Sequence, residues 1–430
     1  MILLLYRLLT GLLAVIGAPL LIWRGWKHPA EMAERFGRIA PPPAGGVWFH
    51  AASLGEVEAL RSLLAAAGAA RPTPVLVTVT STSARRRAAE RLGPAIEVRF
   101  APLDLDLCVR TFLRRAQPRA LVILETELWP VTLDLCRRAG LPRALVSGRL
   151  SDRNWRRLGL WRSALRACLD PALPVSAQSP RDAARFRALG FHTVVMDGNV
   201  KYRLDPETSS ELRGARGGRP LIVVGSLRRG EEAVLSALAG IAGRPPFPRV
   251  VLAPRHLHEG DLWVARATAA GFRPERRSDA AAYAGWETRS EFEPESQVSA
   301  PDLLVLDLHG ELRAWYSRAD IAIVGGTFVP IGGHSLFEPA ALGVPVLFGP
   351  YEGNVRDVAD CLLARGGGVR LASAEAIPEA ITPWLSDPLA RETAGAAARA
   401  AADDLGGAAE RAWRRLAESG WALGPKGRAE

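Results

Sequence analysis

Short apolar runs alternate with helical segments along most of this chain, and that rhythm restricts its fold more than any other feature. Val47–His50 precedes a helix from Gly55, Val75–Thr80 one over Ala84–Leu92, and Glu97–Ala101 one starting near Asp104. Leu121–Leu124 precedes a helix opened by Pro130, whose ring suits a first turn. Ala144–Ser147, Val175–Ala177 and Val194–Met196 complete a first set. The rhythm breaks at Tyr202–Arg219, a polar stretch rich in Gly, Pro and Arg. It restarts with Leu221–Gly225, Val250–Ala253, Leu303–Leu306, Ile321–Val324 and Val344–Phe348. Apolar runs separated by crossover helices specify parallel sheets covered on both faces. A chain of 430 residues also exceeds one ordinary core. The expected fold class is therefore α/β, with two doubly wound domains facing a cleft. Residues 25–203 form the first domain, 204–219 a linker and 220–407 the second. A C-terminal helix, 408–430, is expected to pack back on the first domain.

The N-terminus is different. Ile2 to Trp23 is apolar except for Arg7 and Thr10. The uninterrupted part, Leu8–Trp23, would span about 24 Å as a helix, against about 30 Å for a hydrocarbon core. Arg7 could snorkel and let Ile2–Tyr6 add to the span. A cleaved signal peptide would need an A-x-A site, which is missing, and Pro19 disfavours cleavage after Ala18. Residues 1–24 thus read as a membrane anchor helix, spanning or lying on one leaflet. Arg24, Lys27, Arg35 and Arg38 follow it, which places the later domains on the cytoplasmic side.

Polar residues gather where the apolar runs end. In the first set they include His50, Ser53, Glu56, Glu125, Glu127 and Lys201; in the second, Ser226, Arg228, Arg255 and His256. Ligands of open α/β sheets bind outside the carboxyl ends of the strands. The densest example is Gly325–Gly333, a glycine-rich loop leading to a helix entered near His334 and Ser335, with Glu338 on its first turn. Glycines admit close backbone approach, free N–H groups favour a phosphate, and a carboxylate suits the two hydroxyls of a ribose. The same residues also fit a tight turn with Glu338 as a helix cap.

Several chemistries are set aside. The chain has no GxxxxGK[ST] and no GxGxxG after a strand, and Ser53 lacks a GxSxG elbow. Asp104 and Asp106 resemble an acid pair for a metal but suit helix capping better, and His256 and His258 lack a third ligand. No metal or cofactor is expected. The four cysteines are dispersed without a CxxC, and imply neither zinc nor disulfides. A net charge of +10 points to an anionic partner. Because the charge is scattered and no binding module appears, that partner is not nucleic acid. The Arg149–Arg166 run, with Trp155 and Trp161, is either a surface helix with a solvated basic face or a grip for headgroups or acceptor phosphates.

Together these residues resemble the Kdo transferases, which add 3-deoxy-D-manno-octulosonic acid to the lipid A precursor of Gram-negative bacteria. The resemblance rests on E-R-F-G at Glu34–Gly37, H-A-A-S-L-G-E at His50–Glu56, E-T-E-L-W-P at Glu125–Pro130 and R-L-S at Arg149–Ser151. It continues through A-Q-S at Ala177–Ser179, G-N-V-K at Gly198–Lys201, P-R-H at Pro254–His256, G-E-L at Gly310–Leu312 and G-G-H-S-L-F-E-P at Gly332–Pro339.

It implies a GT-B fold of two Rossmann-like domains, CMP-Kdo as donor, inversion at the anomeric carbon and a lipid A precursor (lipid IVA) at the cytoplasmic leaflet of the inner membrane as acceptor. It also implies that Glu34 is the general base. On the donor side it places Ser335 and Glu338 at ribose and base, and Ser226, Arg228, Arg255 and His256 around the phosphate. Gly310, Glu311, Gly332, Gly333 and His334 complete that side. Arg35, His50, Ser53, Glu56, Glu125, Glu127 and Lys201 fall on the acceptor and Kdo side. Without the resemblance, Glu34 reads as a helix charge paired with Arg38 at i+4. Some positions depart from the family: Arg228 stands where His is usual, and Ser335 and Ser147 where Asn is usual. Leu308 and His309 replace Thr and Met. Arg keeps the positive charge beside a phosphate, whereas Ser shortens the reach of Asn. A different activated sugar on the same fold, or an anchored lipid- or nucleotide-binding protein without catalysis, are the competing expectations.

Overall fold

The computed structural model describes residues 2–203, 219–242, 248–284, 286 and 302–418. The chain divides into two compact units, Met1–Arg203 with Gly406–Glu430, and Leu204–Leu405. Each is built on seven parallel strands. The first unit contains β1 Val47–His50, β2 Val75–Val79, β3 Glu97–Phe100, β4 Ala120–Leu124, β5 Arg143–Gly148, β6 Val175–Ala177 and β7 Val194–Met196, in the order β3-β2-β1-β4-β5-β6-β7. The second contains β8 Leu221–Leu227, β9 Arg249–Pro254, β10 Arg273–Arg276, β11 Asp302–Val305, β12 Ile321–Val324, β13 Val346–Phe348 and β14 Gly368–Arg370. Its order is β10-β11-β9-β8-β12-β13-β14.

Strand order reverses between β1 and β4, where His50 lies level with Ile123, and between β8 and β12, where Val324 lies level with Gly225. Such switch points open a crevice at the carboxyl ends of the strands. The central strands are buried on both faces, which is why they read as unbroken apolar runs.

β3, Glu-Val-Arg-Phe at a sheet edge, is only half apolar, and two further strands carry no such run. β10 is Arg-Pro-Glu-Arg at a sheet edge, where Arg273 pairs with Asp302 at 2.6 Å and Arg276 with Asp307 at 2.7 Å. β14 is a three-residue edge. The linker expected over 204–219 lies outside the described residues except for Arg219, which pairs with Asp302 at 2.9 Å inside the second unit. Helix Ala408–Glu418 lays Ala409, Ala412, Trp413 and Leu416 into the core of the first unit, alongside Val57 and Leu60. Arg411 donates to the Asp197 carbonyl at 2.8 Å, and Arg415 pairs with the Asp197 carboxylate at 2.9 Å.

The N-terminal segment is not one helix. It forms Ile2–Ile16 and Ala18–Lys27, bent by 61° at Gly17. Pro19 accounts for the break, because its ring crowds the preceding turn and it has no N–H to continue the ladder. Among the described residues no single helix is long and apolar enough to cross a membrane, although this bent pair passes by length and composition. Arg7 does not snorkel. It pairs with Asp134 at 2.7 Å and Asp106 at 3.1 Å, while the Tyr6 hydroxyl donates to Asp104 at 3.2 Å. These contacts pin the first helix to the first unit, leaving Leu5, Leu8, Leu12 and Ile16 exposed. The Arg149–Arg166 run likewise breaks, at Gly159, into helices Asp152–Leu158 and Arg162–Cys168. Trp155 is covered by the Arg162 guanidinium at 4.0 Å, while Trp161 stays exposed.

Candidate active site

In the first unit the polar residues line one sheet edge in the order of the strands. At β3, helix Pro29–Arg35 delivers Glu34. That helix ends at Phe36, and Gly37 follows with φ +76; a side chain there would meet the Cys108 carbonyl at 2.2 Å. The glycine of E-R-F-G therefore lets this short helix close against helix Asp106–Ala116. Glu34 does not pair with Arg38. Its Oε2 accepts from the Phe100 N–H at 2.7 Å, and both carboxylate oxygens take the Arg85 fork at 3.2 Å each. Arg99 lies 3.9 Å away. Arg35 reaches the next strand, donating to the Thr80 carbonyl at 2.7 Å and to Glu31 at 2.8 Å.

At the β1/β4 switch point Ser53 caps helix Leu54–Ala67, accepting from the Glu56 N–H at 3.3 Å. Glu56 closes the box by accepting from the Ala52 N–H at 2.7 Å and the Ser53 hydroxyl at 3.0 Å. Burial, reinforced by the Glu125 and Glu127 carboxylates, pushes Glu56 up to about 7. Glu125 adopts φ 58, left-handed for a residue with a Cβ, and sits 2.5 Å from the Lys201 ammonium. Such backbone strain gathers where function demands a fixed direction. Glu127 is also raised by burial and accepts from the Trp129 indole at 2.8 Å.

His50 is 4% exposed, and burial lowers it to about 4. Its Nδ1 lies 2.9 Å from the Thr78 hydroxyl, and its Nε2 has no hydrogen-bond partner among the described residues. It lines a small cavity with Trp48, Pro102, Ile123 and Trp129. Glu56, Glu125, Glu127 and Lys201 thus form one group. Glu34 and Arg35 form another at β3, and Arg35 links the two through Thr80, whose hydroxyl donates to the Ala52 carbonyl at 2.9 Å.

In the second unit Ser226 has φ 59 at the end of β8. Arg228 Nη2 lies 2.9 Å from His256 Nε2. The glycine loop after β12 turns back on itself, the Gly333 N–H donating to the Gly326 carbonyl at 2.8 Å. Gly326 has φ +71, and a Cβ there would sit 2.5 Å from the His334 ring. Only glycine lets His334 fold over the loop. Burial, followed by the charges of Arg255, Arg228 and His256, holds His334 at about 4, so those four side chains share one locality. The helix after the loop starts later than the sequence suggests and is short, Phe337–Ala341. Ser335 supplies its cap, accepting from the Glu338 N–H at 3.4 Å. Gly332 also turns left-handed, at φ +98, against Asn354. Gly310 and Glu311 stand apart from that locality in their bonding: Glu311 pairs with Arg277 at 2.9 Å.

Asp104 caps a neighbouring helix rather than its own. It accepts from the Val131 and Thr132 N–H groups at 3.1 and 2.8 Å, at the start of Pro130–Arg138. Among the described residues no group of three His, Cys, Asp or Glu side chains is placed to hold a metal ion. Sequence reasoning missed Glu231, which is 1% exposed. Its carboxylate accepts from the Arg228, Gly326 and Phe328 N–H groups at 2.8–2.9 Å and ties the loop after β8 to the loop after β12. The available signal was a glutamate three residues after Arg228, at a helix start. Arg85 and Arg99 were also missed, for they stand far from Glu34 in sequence.

Two doubly wound domains with polar residues at both switch points define the fold of the GT-B glycosyltransferases. The UDP-N-acetylglucosamine 2-epimerase of Neisseria meningitidis shares that fold. It is 13% identical, with 87% of this chain and 99% of that one covered and a TM-score of 0.56. Residues 30–204 match the family model of 3-deoxy-D-manno-octulosonic-acid transferase. Over 385 residues the chain is 34% identical to the 3-deoxy-D-manno-octulosonic acid transferase of Bordetella pertussis, covering 86% of this chain and 87% of that protein. The transferase of the same name from Haemophilus influenzae is 27% identical, with 86% of each covered. This chain belongs to the Kdo transferase family and is a glycosyltransferase.

Proposed function

We propose that the enzyme moves Kdo from CMP-Kdo to a hydroxyl of a lipid A precursor (lipid IVA), with inversion, Glu34 as general base and no metal. The contrast between the two switch-point edges carries this reading: carboxylates line the first, whereas cations and glycine-loop backbone line the second. Glu34 takes the proton of the acceptor hydroxyl as that oxygen bonds to the anomeric carbon. The bond from that carbon to the phosphate oxygen breaks, and CMP leaves with the electron pair. Arg228, Arg255 and His256 stabilise the single phosphate, a charge that fixed cations balance without a divalent ion. Ser335 and Glu338 take the ribose and base; Lys201, His50 and the Glu56 group hold the sugars.

The exposed apolar face of Ile2–Ile16 and Ala18–Lys27 lies in the cytoplasmic leaflet of the inner membrane, oriented by Arg24 and Lys27. Arg228 and Ser335 depart from the family pattern, and a different nucleotide sugar is the second reading.

The test is product formation by mass spectrometry in detergent, with CMP-Kdo and a tetra-acylated lipid A precursor, comparing wild type with Glu34→Gln. We expect product in the wild type and a loss of at least about 10²-fold in the variant. Full activity in the variant would remove Glu34 as base. No wild-type product, with stabilisation by another nucleotide sugar, would select the second reading.

A further inference from the structure

Glu34 is an awkward base as it stands. Both its oxygens receive the Arg85 fork at 3.2 Å, and Oε2 also receives the Phe100 N–H at 2.7 Å. Oxygens occupied in this way have little left to offer an incoming hydroxyl proton. Its donors differ in how firmly they are held. The Phe100 N–H belongs to the end of β3 and cannot leave. Arg85 projects from the first turns of helix Thr82–Leu92 on a flexible stem. Its side chain is 33% exposed, against 12% for Glu34. Its guanidinium lies 4.8 Å from the centre of the Phe100 ring, and that of Arg35 lies at the same distance. An aromatic face holds a guanidinium without fixing its direction, so Arg85 can turn its fork while keeping that contact. Arg35 is committed to Glu31 and Thr80.

We infer that Arg85 is a specificity-determining residue: an oxyanion on a bound substrate takes over its fork, and this exchange frees Glu34 to accept the acceptor's proton. The inference rests on the reading of Glu34 as base. The recognised chemistry is a phosphate monoester or a carboxylate, which match a planar fork in two parallel bonds. A phosphate would come from the acceptor and a carboxylate from the transferred sugar. After the exchange the Phe100 N–H still orients Glu34 through Oε2, and Oε1 keeps Arg99 nearby, 3.9 Å away and itself paired with Glu97 at 2.5 Å. A substrate without the oxyanion leaves the base locked, so the ion pair discriminates between substrates through turnover rather than through binding alone.

The experiment measures kcat and KM for the wild type, Arg85→Gln, Arg85→Lys and Glu34→Gln. Each is run on the phosphorylated acceptor, on the same acceptor after phosphatase treatment, and with a donor whose sugar carboxylate is converted to an amide. Melting temperatures check folding. In the wild type, removing the recognised oxyanion should lower kcat at least about 10-fold. In Arg85→Gln both forms should turn over at one common rate, and the form lacking the oxyanion should run faster than it does in the wild type. Arg85→Lys should restore the preference only in part, because an ammonium has no fork. Sensitivity to the acceptor's phosphate identifies that source, and sensitivity to the amide identifies the sugar carboxylate. If Arg85→Gln keeps the wild-type ratio on both pairs while Glu34→Gln is inactive, the exchange is wrong and the base reading survives. If Glu34→Gln is fully active, the base reading falls and the exchange falls with it.

Discussion

The two switch-point edges hold their charges in different ways. In the first unit, carboxylates have several partners. At the edge Glu34 takes the Arg85 fork and the Phe100 N–H, with Arg99 3.9 Å away; on the helices Asp134 pairs with Arg7, Arg137 and Arg138, each at 2.7 Å, and Glu58 lies within 4 Å of Arg61, Arg87 and Arg91. In the second unit, the buried carboxylate of Glu231 holds backbone N–H groups of two loops, and the glycine loop is further held by bonds to Tyr351 and Asn354. Side chains that share partners can lose one and re-form. The loop after β8 and the loop after β12 share one carboxylate, and among the described residues no second carboxylate bonds both. The first edge is thus suited to exchanging partners during a reaction, and the second to keeping a fixed shape around an anion.

The largest effect should come from breaking that shared tie. Glu231→Ala strands three N–H groups, of which that of Gly326 is buried and costs about 1–3 kcal/mol when left unpaired. We expect a marked fall in melting temperature and at least about a 10-fold weaker inhibition by CMP. Glu231→Gln, which keeps one acceptor oxygen, should fall between the two. Wild-type affinity for CMP in Glu231→Ala would mean that the loop keeps its shape by other means, and the contrast between the edges would collapse.

A middling effect lies in pH dependence. Glu56 is raised in the folded protein to about 7 from 4.5, so the native state holds a proton that the unfolded chain gives up. Its contribution is full below about 4.5 and is lost as pH rises to about 7, about 3 kcal/mol in all. His50 is lowered to about 4 from 6.5, so its contribution is lost as pH falls through the same window. The slopes of these two groups oppose and largely cancel between pH 4.5 and 7. Glu56→Gln should unmask the His50 slope, with the urea midpoint rising with pH and the variant exceeding wild type at pH 8. A variant profile no steeper than that of the wild type would show that Glu56 is not raised, and a flat one would show that the His50 slope is absent.

Much of this fold is legible in the sequence because buried parallel strands must be apolar throughout, and the central strands of both sheets announce themselves in that way. β10 and β14 do not, because an edge strand has only one neighbour and β10 answers solvent with arginines. The motif residues fall at strand ends, as the rhythm predicts. Their pairings do not follow from it. Glu34 meets Arg85 across 51 positions, and Glu231 meets Phe328 across 97, through a sheet order that local patterns do not encode. The kink at Gly17 has its cause in Pro19, which is visible in the sequence. The docking of Arg7 has its cause in Asp134, which becomes a neighbour only after folding.

That docking supplies the smallest expected effect and the clearest test of shared pairing. Arg7→Ala removes one of three partners of Asp134, leaving Arg137 and Arg138, and one of two partners of Asp106, leaving Arg110 at 3.6 Å. The loss should be only about 2 kcal/mol, the scale of a hydrogen bond to a charged group, because both carboxylates keep a partner. Tyr6 still donates to Asp104, so the first helix should stay in place. Hydrogen exchange in Ile2–Ile16 should rise modestly while that of β1 and β4 is unchanged. If this one substitution releases the helix, Arg7 is a tie without substitute, and the first unit holds its N-terminus as rigidly as the second holds its glycine loop.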